Sequence, residues 1–312
     1  MTETHIPARV FERARKEAET AEKGVHTPQT MDPAYKLAFQ DMDFLLREDL
    51  RPVRFQLELL KPELLLDEAD IGSMMVFYGS ARIPEPGVMS GHDDADVAAS
   101  LEAKSKYYAE ARKLAALASA APRDEDGKRH FVVCSGGGPS IMEAANRGAA
   151  DVGAESVGLN IVLPHEQAPN EYVTPGLSFQ FHYFALRKMH FLLRARAVAV
   201  FPGGFGTFDE TFELLTLIQT GKIKPMPILM FGREFWTRVV NFDALVAEGV
   251  VSARDLNLMQ FVDTAEEAWA IVQDFYAAGY RTTVSLSLSK GCPSPDAIVK
   301  EGQGFDRLSH SD

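Results

Sequence analysis

Cysteine is almost missing from this chain of 312 residues: only Cys134, in an apolar run, and Cys292, in a polar tail, occur. Two cysteines so placed build neither a disulfide framework nor a zinc cluster, so Cys134 reads as a small core residue and no metal site is expected. Long apolar runs are missing too. No stretch approaches the roughly 20 residues that span a bilayer, and the opening residues MTETHIPARVFERARKEAE lack the apolar segment of a signal peptide. The expectation is a soluble, cytoplasmic protein with no membrane partner. Positive charge is in deficit, with 32 Lys+Arg against 44 Asp+Glu and a formal net charge of −12. A field of that sign repels a phosphate backbone, so no nucleic acid partner is expected, whereas a phosphorylated small molecule needs only one local pocket. Two nucleotide signatures are also absent. No Gly-Lys-Ser/Thr follows a glycine turn, and no G-x-G-x-x-G turn follows the first strand, which argues against a Walker loop and against dinucleotide binding.

What is present begins with a 46% hydrophobic content, enough for a sizeable core. Residues 1–30 are charged and poor in large apolar side chains, as in a frayed helix followed by a linker. Apolar residues then recur at helical spacing over 32–46 (Tyr35, Phe39, Met42, Leu46) and 53–66 (Phe55, Leu57, Leu60). Two helices without chemistry are predicted there, packed on the main domain or on a partner subunit.

From residue 74 strands and helices alternate. Strands are predicted over 74–78, 130–134, 156–163, 179–182, 197–201 and 227–231. Helices are predicted over 98–121, from Pro139, over 183–195, 207–220, 233–248 and 263–277. Gly221 is the stop signal of the fourth helix. Such alternation implies right-handed βαβ crossovers, hence an α/β, Rossmann-like parallel sheet with helices on both faces, plus a helical N-terminal extension. Between the third and fourth strands an irregular segment, 164–176, carries His165, Glu166, Asn170 and Tyr172, none singled out by spacing. Beyond Tyr280 the composition turns to Ser, Lys, Gly and Pro, the mark of a poorly ordered tail.

Two strand-turn-helix units are built to hold an anion. One is the turn Gly136-Gly137-Gly138-Pro139, with the proline at the helix opening. The other is Pro202-Gly203-Gly204-Phe205-Gly206, with a helix opening at Thr207. Glycines let the backbone approach a ligand, and the helix behind presents unpaired N–H groups and its positive dipole end. On a parallel sheet both turns can face one crevice at the carboxyl edge of the strands. Arg187 and Glu210 bracket the second turn. Glu210 also completes a capping box with Thr207, so spacing leaves a structural and a functional reading open. Glu143 sits in the first turn behind the other cradle, where a dipole partner is the bland reading. Arg82, in the turn Gly79-Ser80-Ala81-Arg82, could meet a phosphate or a base. His182 and His190, beside aromatic residues, read as structural.

These motifs carry a resemblance. Pro202-Gly203-Gly204-Phe205-Gly206-Thr207-Phe208-Asp209-Glu210 resembles the PGGxGTxxE signature of the LOG family, nucleoside 5′-monophosphate phosphoribohydrolases that include cytokinin-activating enzymes. Gly79-Ser80-Ala81-Arg82, the Gly136–Pro139 turn with Met142-Glu143, and Arg187-Lys188 extend the likeness over about 74–276. In plant members a histidine stands just ahead of the Arg-Lys pair; here Ala185-Leu186 precede it, and the aromatic run His182-Tyr183-Phe184 is more similar to the longer bacterial members. Members are often labelled lysine decarboxylase, but that chemistry needs pyridoxal phosphate on a lysine, for which no site is seen; no cofactor is expected.

The resemblance implies that Arg187 and Glu210 are the catalytic pair, and that Gly136, Gly137, Gly138, Gly203, Gly204, Gly206 and Thr207 hold a 5′-phosphate. Gly79, Ser80, Arg82, Met142, Glu143 and Lys188 become further substrate-binding candidates. It also implies a homodimer or larger homo-oligomer. Pattern and composition divide the chain into a helical extension (1–70), a nucleotide-binding catalytic domain (71–280) and a tail (281–312). The expected reaction releases the free base and ribose 5-phosphate from an AMP-like nucleotide. The alternative is a non-catalytic nucleotide-binding or sensing module of the same fold.

Overall fold

Seven strands form one sheet in the computed structural model, which describes residues 12–164 and 168–277. β1 (Met74–Tyr78), β2 (Val132–Ser135), β3 (Val157–Ile161), β4 (Ser178–Phe181), β5 (Ala195–Val200), β6 (Ile228–Phe231) and β7 (Met259–Val262) lie in the order β4-β3-β2-β1-β5-β6-β7. Every neighbouring pair is parallel. β1 reads MMVFY and is buried at all five positions, the near-continuous apolar run that a strand covered on both faces requires. The chain runs outward from β1 to β4, then returns to place β5 on the other side of β1. The strand order reverses there, and the crevice beyond the carboxyl ends of β1 and β5 is where ligands of open α/β sheets bind.

The chain divides into two compact units, Met1–Glu63 and Leu64–Asp312. The first holds α1 (Ala14–Glu22), α2 (Met42–Leu45) and most of α3 (Arg51–Glu68), a helix within which the division falls. The helix predicted over 32–46 is replaced by single turns. Asp32 accepts from Ala34 N–H and Asp41 from Phe44 N–H, and each such cap starts a new turn before the apolar spacing can build one helix. Tyr35, Phe39, Met42 and Leu46 are exposed.

The second unit continues with α4 (Ala95–Glu102), α5 (Lys106–Ser119), α6 (Ile141–Asp151), α7 (Phe184–Leu193), α8 (Phe205–Gln219), α9 (Arg233–Val239), α10 (Phe242–Ala247) and α11 (Ala265–Ala277). On one face of the sheet Met75, Phe77, Val133, Ala197, Ala199 and Phe231 meet Leu114, Ala145 and Val272 of α5, α6 and α11. On the other, Met74, Val76, Val198, Val200 and Met230 meet Phe191, Leu214, Ile218 and Trp236 of α7, α8 and α9. Helices thus cover both faces, as the alternation predicts. α5 and α6 touch backbone to backbone: a Cβ on Gly148 would collide with the Arg112 carbonyl.

Several predicted elements differ in extent. The helix expected over 98–121 is two, α4 and α5: at 103–105 the backbone tightens, with Lys104 N–H bonding the Leu101 carbonyl and Ser105 N–H the Glu102 carbonyl, and Lys104 Nζ bonds the Ser100 carbonyl. The helix expected over 233–248 is also two. Asn241 caps α10 through its bond from Ala244 N–H, after the β-branched pair Val239-Val240. β7 was not anticipated, since Met-Gln-Phe-Val at the sheet edge is short and only its ends are buried. α8 does end as expected, at a Gly221 of φ +71°. No helix among the described residues is long and apolar enough to cross a membrane. His165, Glu166, Cys292 and the 281–312 tail lie outside the described residues.

Candidate active site

Three loops meet where the strand order reverses. After β1, Gly79 gives way to α6: an added Cβ would lie 2.5 Å from Ile141. Ser80 N–H donates to the Pro202 carbonyl (3.1 Å), and the Ser80 carbonyl accepts from Ile141 N–H (3.3 Å), so the turn after β1 is tied by backbone bonds to both glycine turns. Arg82 is exposed, and its backbone N–H bonds Ser80 Oγ.

The glycine turn after β2 is filled by the protein's own side chains. An added Cβ at Gly136 would stand 2.6 Å from Arg187 Nη2 and 2.8 Å from Met142 Sδ, and one at Gly138 2.7 Å from Met142 Cε. Gly137 has φ +74°, and a Cβ there would strike the Asn160 amide. The turn is held from behind by a buried polar network. Ser135 Oγ accepts from Gly137 N–H (3.0 Å) and donates to Asn146 Oδ1 (2.7 Å), while Asn146 Nδ2 donates to Ser156 Oγ (3.0 Å). Asn170 closes the network, its Nδ2 lying 3.1, 3.0 and 3.0 Å from the Gly137 and Gly138 carbonyls and Asn146 Oδ1. Pro139 does not open the helix. α6 starts at Ile141 behind a Ser140 of φ +65°, a strained value for a non-glycine residue, secured by the bond from Ser140 Oγ to the Ile83 carbonyl.

The turn after β5 has a different character. α8 begins at Phe205, two residues earlier than expected, with Gly204 as its extended N-cap. Thr207 therefore stands inside the first turn, buried, with its hydroxyl against the bare Cα of Gly203. The capping box with Glu210 does not form, and Glu210 falls in the second turn. Gly204 and Gly206 face open space, with no atom within 4 Å of an added Cβ. The first N–H groups of a 15-residue helix point there without partners from its own ladder.

Arg187 links the two turns. Its Nε donates to the Leu159 carbonyl of β3 (2.7 Å), its guanidinium lies 5.1 Å over the Phe191 ring, and Nη1 stands 3.5 Å from Glu210 Oε1. The two side chains are 11% and 15% exposed, so this ion pair is largely withdrawn from water. Burial raises the Glu210 pKa to about 7; Arg187 opposes the rise, Asp209 adds to it, Lys188 opposes and Glu213 adds. A carboxyl poised near neutrality at a crevice can both give and take a proton. Cys134 lies buried with its thiol pushed up by burial, which suits a core residue rather than a nucleophile.

The other predicted residues are placed as follows. Lys188 turns to α8, with Nζ 2.9 Å from Asp209 Oδ2 and 2.9 Å from Glu213 Oε2. Glu143 accepts from the Tyr108 hydroxyl (2.8 Å) at the first turn of α6. His190 is buried beside the Phe181 ring, and His182 is exposed. An apolar cavity of about 750 Å³, lined by Met189, Leu192, Leu217, Ile223 and Met226, lies between α7 and α8 toward the start of β5 and does not include Arg187 or Glu210. Cavity size and chemistry point to different places, and the half-buried ion pair beside open helix N–H groups is the stronger marker of a reaction site. Sequence reasoning passed over Asn146 and Asn160. The available signal was an asparagine interrupting an otherwise apolar helix face or strand, which signals a buried polar partner.

Residues 142–272 match the family described as "Possible lysine decarboxylase". The chain is 25% identical over 177 residues to "Cytokinin riboside 5'-monophosphate phosphoribohydrolase LOG2" of Arabidopsis thaliana, covering 56% of this chain and 80% of that protein. It is 28% identical over 139 residues to "Probable cytokinin riboside 5'-monophosphate phosphoribohydrolase LOG4" of Oryza sativa subsp. japonica, covering 44% of this chain and 59% of the relative. Among solved structures, the molybdenum cofactor binding protein of Rippkaea orientalis aligns with a TM-score of 0.39 and 14% identity, over 65% of this chain and 97% of that one.

Proposed function

We propose, for a chain that carries a LOG-type domain, that it hydrolyses the N-glycosidic bond of a purine or cytokinin nucleoside 5′-monophosphate, releasing free base and ribose 5-phosphate. The observation that carries this reading is the Arg187–Glu210 pair, 3.5 Å apart and largely withdrawn from water, beside the open N-terminus of α8. The 5′-phosphate sits against the N–H groups at Gly204 to Thr207, where neither Gly204 nor Gly206 has a neighbour to displace. The turn after β2 then serves less as a second phosphate cradle than as a seat for Arg187 and Met142.

Breaking the bond from C1′ to the base nitrogen sends its electron pair to the base and leaves positive charge on the sugar. Ionised Glu210 stabilises that charge and takes a proton from the attacking water, whose oxygen bonds C1′; the base nitrogen gains a proton from solvent. Arg187 stays protonated and so acts by charge, on the phosphate or on the departing base. Since the carboxylate form of Glu210 is needed, the rate rises with pH through about 7.

The test is incubation of purified protein with a panel of nucleoside 5′-monophosphates, assayed for free base and ribose 5-phosphate, with Glu210→Gln alongside. Release that the variant lowers by about 10²-fold or more supports the hydrolase. A variant of near-wild-type rate removes Glu210 from the mechanism, and AMP held intact by the wild type moves the chain to the binding-module reading. Exposed Phe184, Met189, Leu193 and Phe205, on α7 and at the start of α8, support the further expectation of a homodimer or larger homo-oligomer, which sedimentation checks.

A further inference from the structure

We propose that Lys188 is a positioning residue: it braces α7 against Asp209 and Glu213 of α8, and so holds Glu210 opposite Arg187 without itself touching the substrate. The inference rests on the hydrolase reading for its meaning in catalysis, and on geometry alone for the brace. Arg187 and Lys188 are consecutive on α7, while Asp209, Glu210 and Glu213 share one stretch of α8. Two bridges therefore join the same helices side by side. The one that will do chemistry is loose, with 3.5 Å between Nη1 and Oε1. The other is tight and double, with Nζ 2.9 Å from each of two carboxylates.

Arg187 does not depend on Glu210 for its place, because Nε is anchored on the Leu159 carbonyl of β3 and Gly136 leaves room for Nη2. The spacing of α8 from that anchored guanidinium is set next door, by Lys188. Its side chain is 18% exposed, and its three N–H donors are directed at a pair of carboxylates, which leaves little of its charge for a phosphate. Burial works against the Lys188 charge, yet the bonds to Asp209 and Glu213 outweigh it and hold the ammonium protonated above the ordinary lysine range.

The brace also governs the charge seen by Glu210. The groups that face this carboxyl are Arg187 and Lys188 from α7, Asp209 and Glu213 from α8, Tyr78 from β1 and Cys134 from β2. Tyr78 and Cys134 are held neutral by burial. With Lys188 in place the two exposed carboxylates are neutralised; without it they stand as bare negative charges beside Glu210 and favour its proton.

The experiment follows the Glu210 carboxyl by carbon-13 NMR titration in nucleotide-free protein, assigned by its loss in Glu210→Gln, and compares wild type, Lys188→Met and Lys188→Arg. Lys188→Met is expected to move the midpoint up by about one pH unit, and neutralising the partners in the same background (Asp209→Asn, Glu213→Gln) to bring it back. Lys188→Arg, which keeps the charge, stays near wild type. In steady state with nucleotide, Lys188→Met lowers kcat at pH 7 and leaves KM within about twofold. An unmoved midpoint together with a KM raised about tenfold or more would overturn the proposal and make Lys188 a phosphate ligand. If Lys188→Met does not fold, Glu213→Gln alone serves, expected to lower the midpoint; no shift there overturns the electrostatic link. The titration needs no turnover, so it decides the brace even if no nucleotide is hydrolysed.

Discussion

Replacing Glu210 by glutamine should remove activity and at the same time stabilise the fold at alkaline pH. The carboxyl moves from an ordinary 4.5 to about 7 on folding, because burial disfavours its charge more than Arg187 favours it. The folded state therefore binds the proton more tightly than the unfolded chain. Between about 4.5 and 7 the folded state holds more protons, and stability falls as pH rises through that window. Once Glu210 is ionised in both states, the cost is the full shift of about 2.5 pH units at about 1.36 kcal/mol each, or about 3 kcal/mol. Glutamine has the shape of the protonated acid and never meets this cost. Urea unfolding of both proteins at pH 5 and pH 8.5 reads the difference. The variant should be more stable by about 3 kcal/mol at pH 8.5 and by less than about 1 kcal/mol at pH 5, the larger figure being worth about 6–12 °C in Tm for a domain of this size. A gap that does not change with pH, or a variant less stable than wild type at pH 8.5, would refute the argument that burial sets the charge of Glu210.

The glycines offer a paired test. Gly136→Ala places a methyl 2.6 Å from Arg187 Nη2 and 2.8 Å from Met142 Sδ, both ends of side chains that can yield. It should cost little stability but displace the guanidinium by enough to lower the rate about 10²-fold, measured as base release against Tm. Gly148→Ala meets the Arg112 backbone instead, and parting α5 from α6 should cost about 3 kcal/mol in urea unfolding, wherever the active site lies. Asn170→Ala strips the amide from the Gly137 and Gly138 carbonyls and Asn146 Oδ1, with a loss of about 1–3 kcal/mol and increased hydrogen exchange confined to the turn after β2.

Much of the architecture can be read along the chain, because it depends on neighbours in sequence. The run MMVFY at 74–78, bounded by Gly79, reads as a strand covered on both faces, and alternation with helices makes the sheet parallel. The two glycine turns and the charged residues around the second are equally legible, since each turn lies between an apolar strand and a helix. Local signals failed where two of them competed. Thr207 and Glu210 have the spacing of a capping box, yet α8 starts at Phe205, because Gly204 takes the cap and Thr207 folds against Gly203.

Tertiary structure alone decided who meets whom. At Gly136, Gly137 and Gly138 the sequence shows a glycine turn, and only the fold shows that Arg187, Asn160 and Met142 stand where side chains there would be. Lys188, next to Arg187 on α7, is paired with Asp209 and Glu213 of α8, a contact its place in the sequence does not announce. Apart from that of Met142, those contacts join residues 21 or more positions apart along the chain that the strand order brings together at one edge, with α7 reaching over β3 and α8 rising from β5. Backbone preference extends only a few residues, whereas burial and electrostatics act across space; so the sequence by itself determined the alternation of strands and helices and the two glycine turns, and the packing of α7 against α8 decided the surroundings of Glu210.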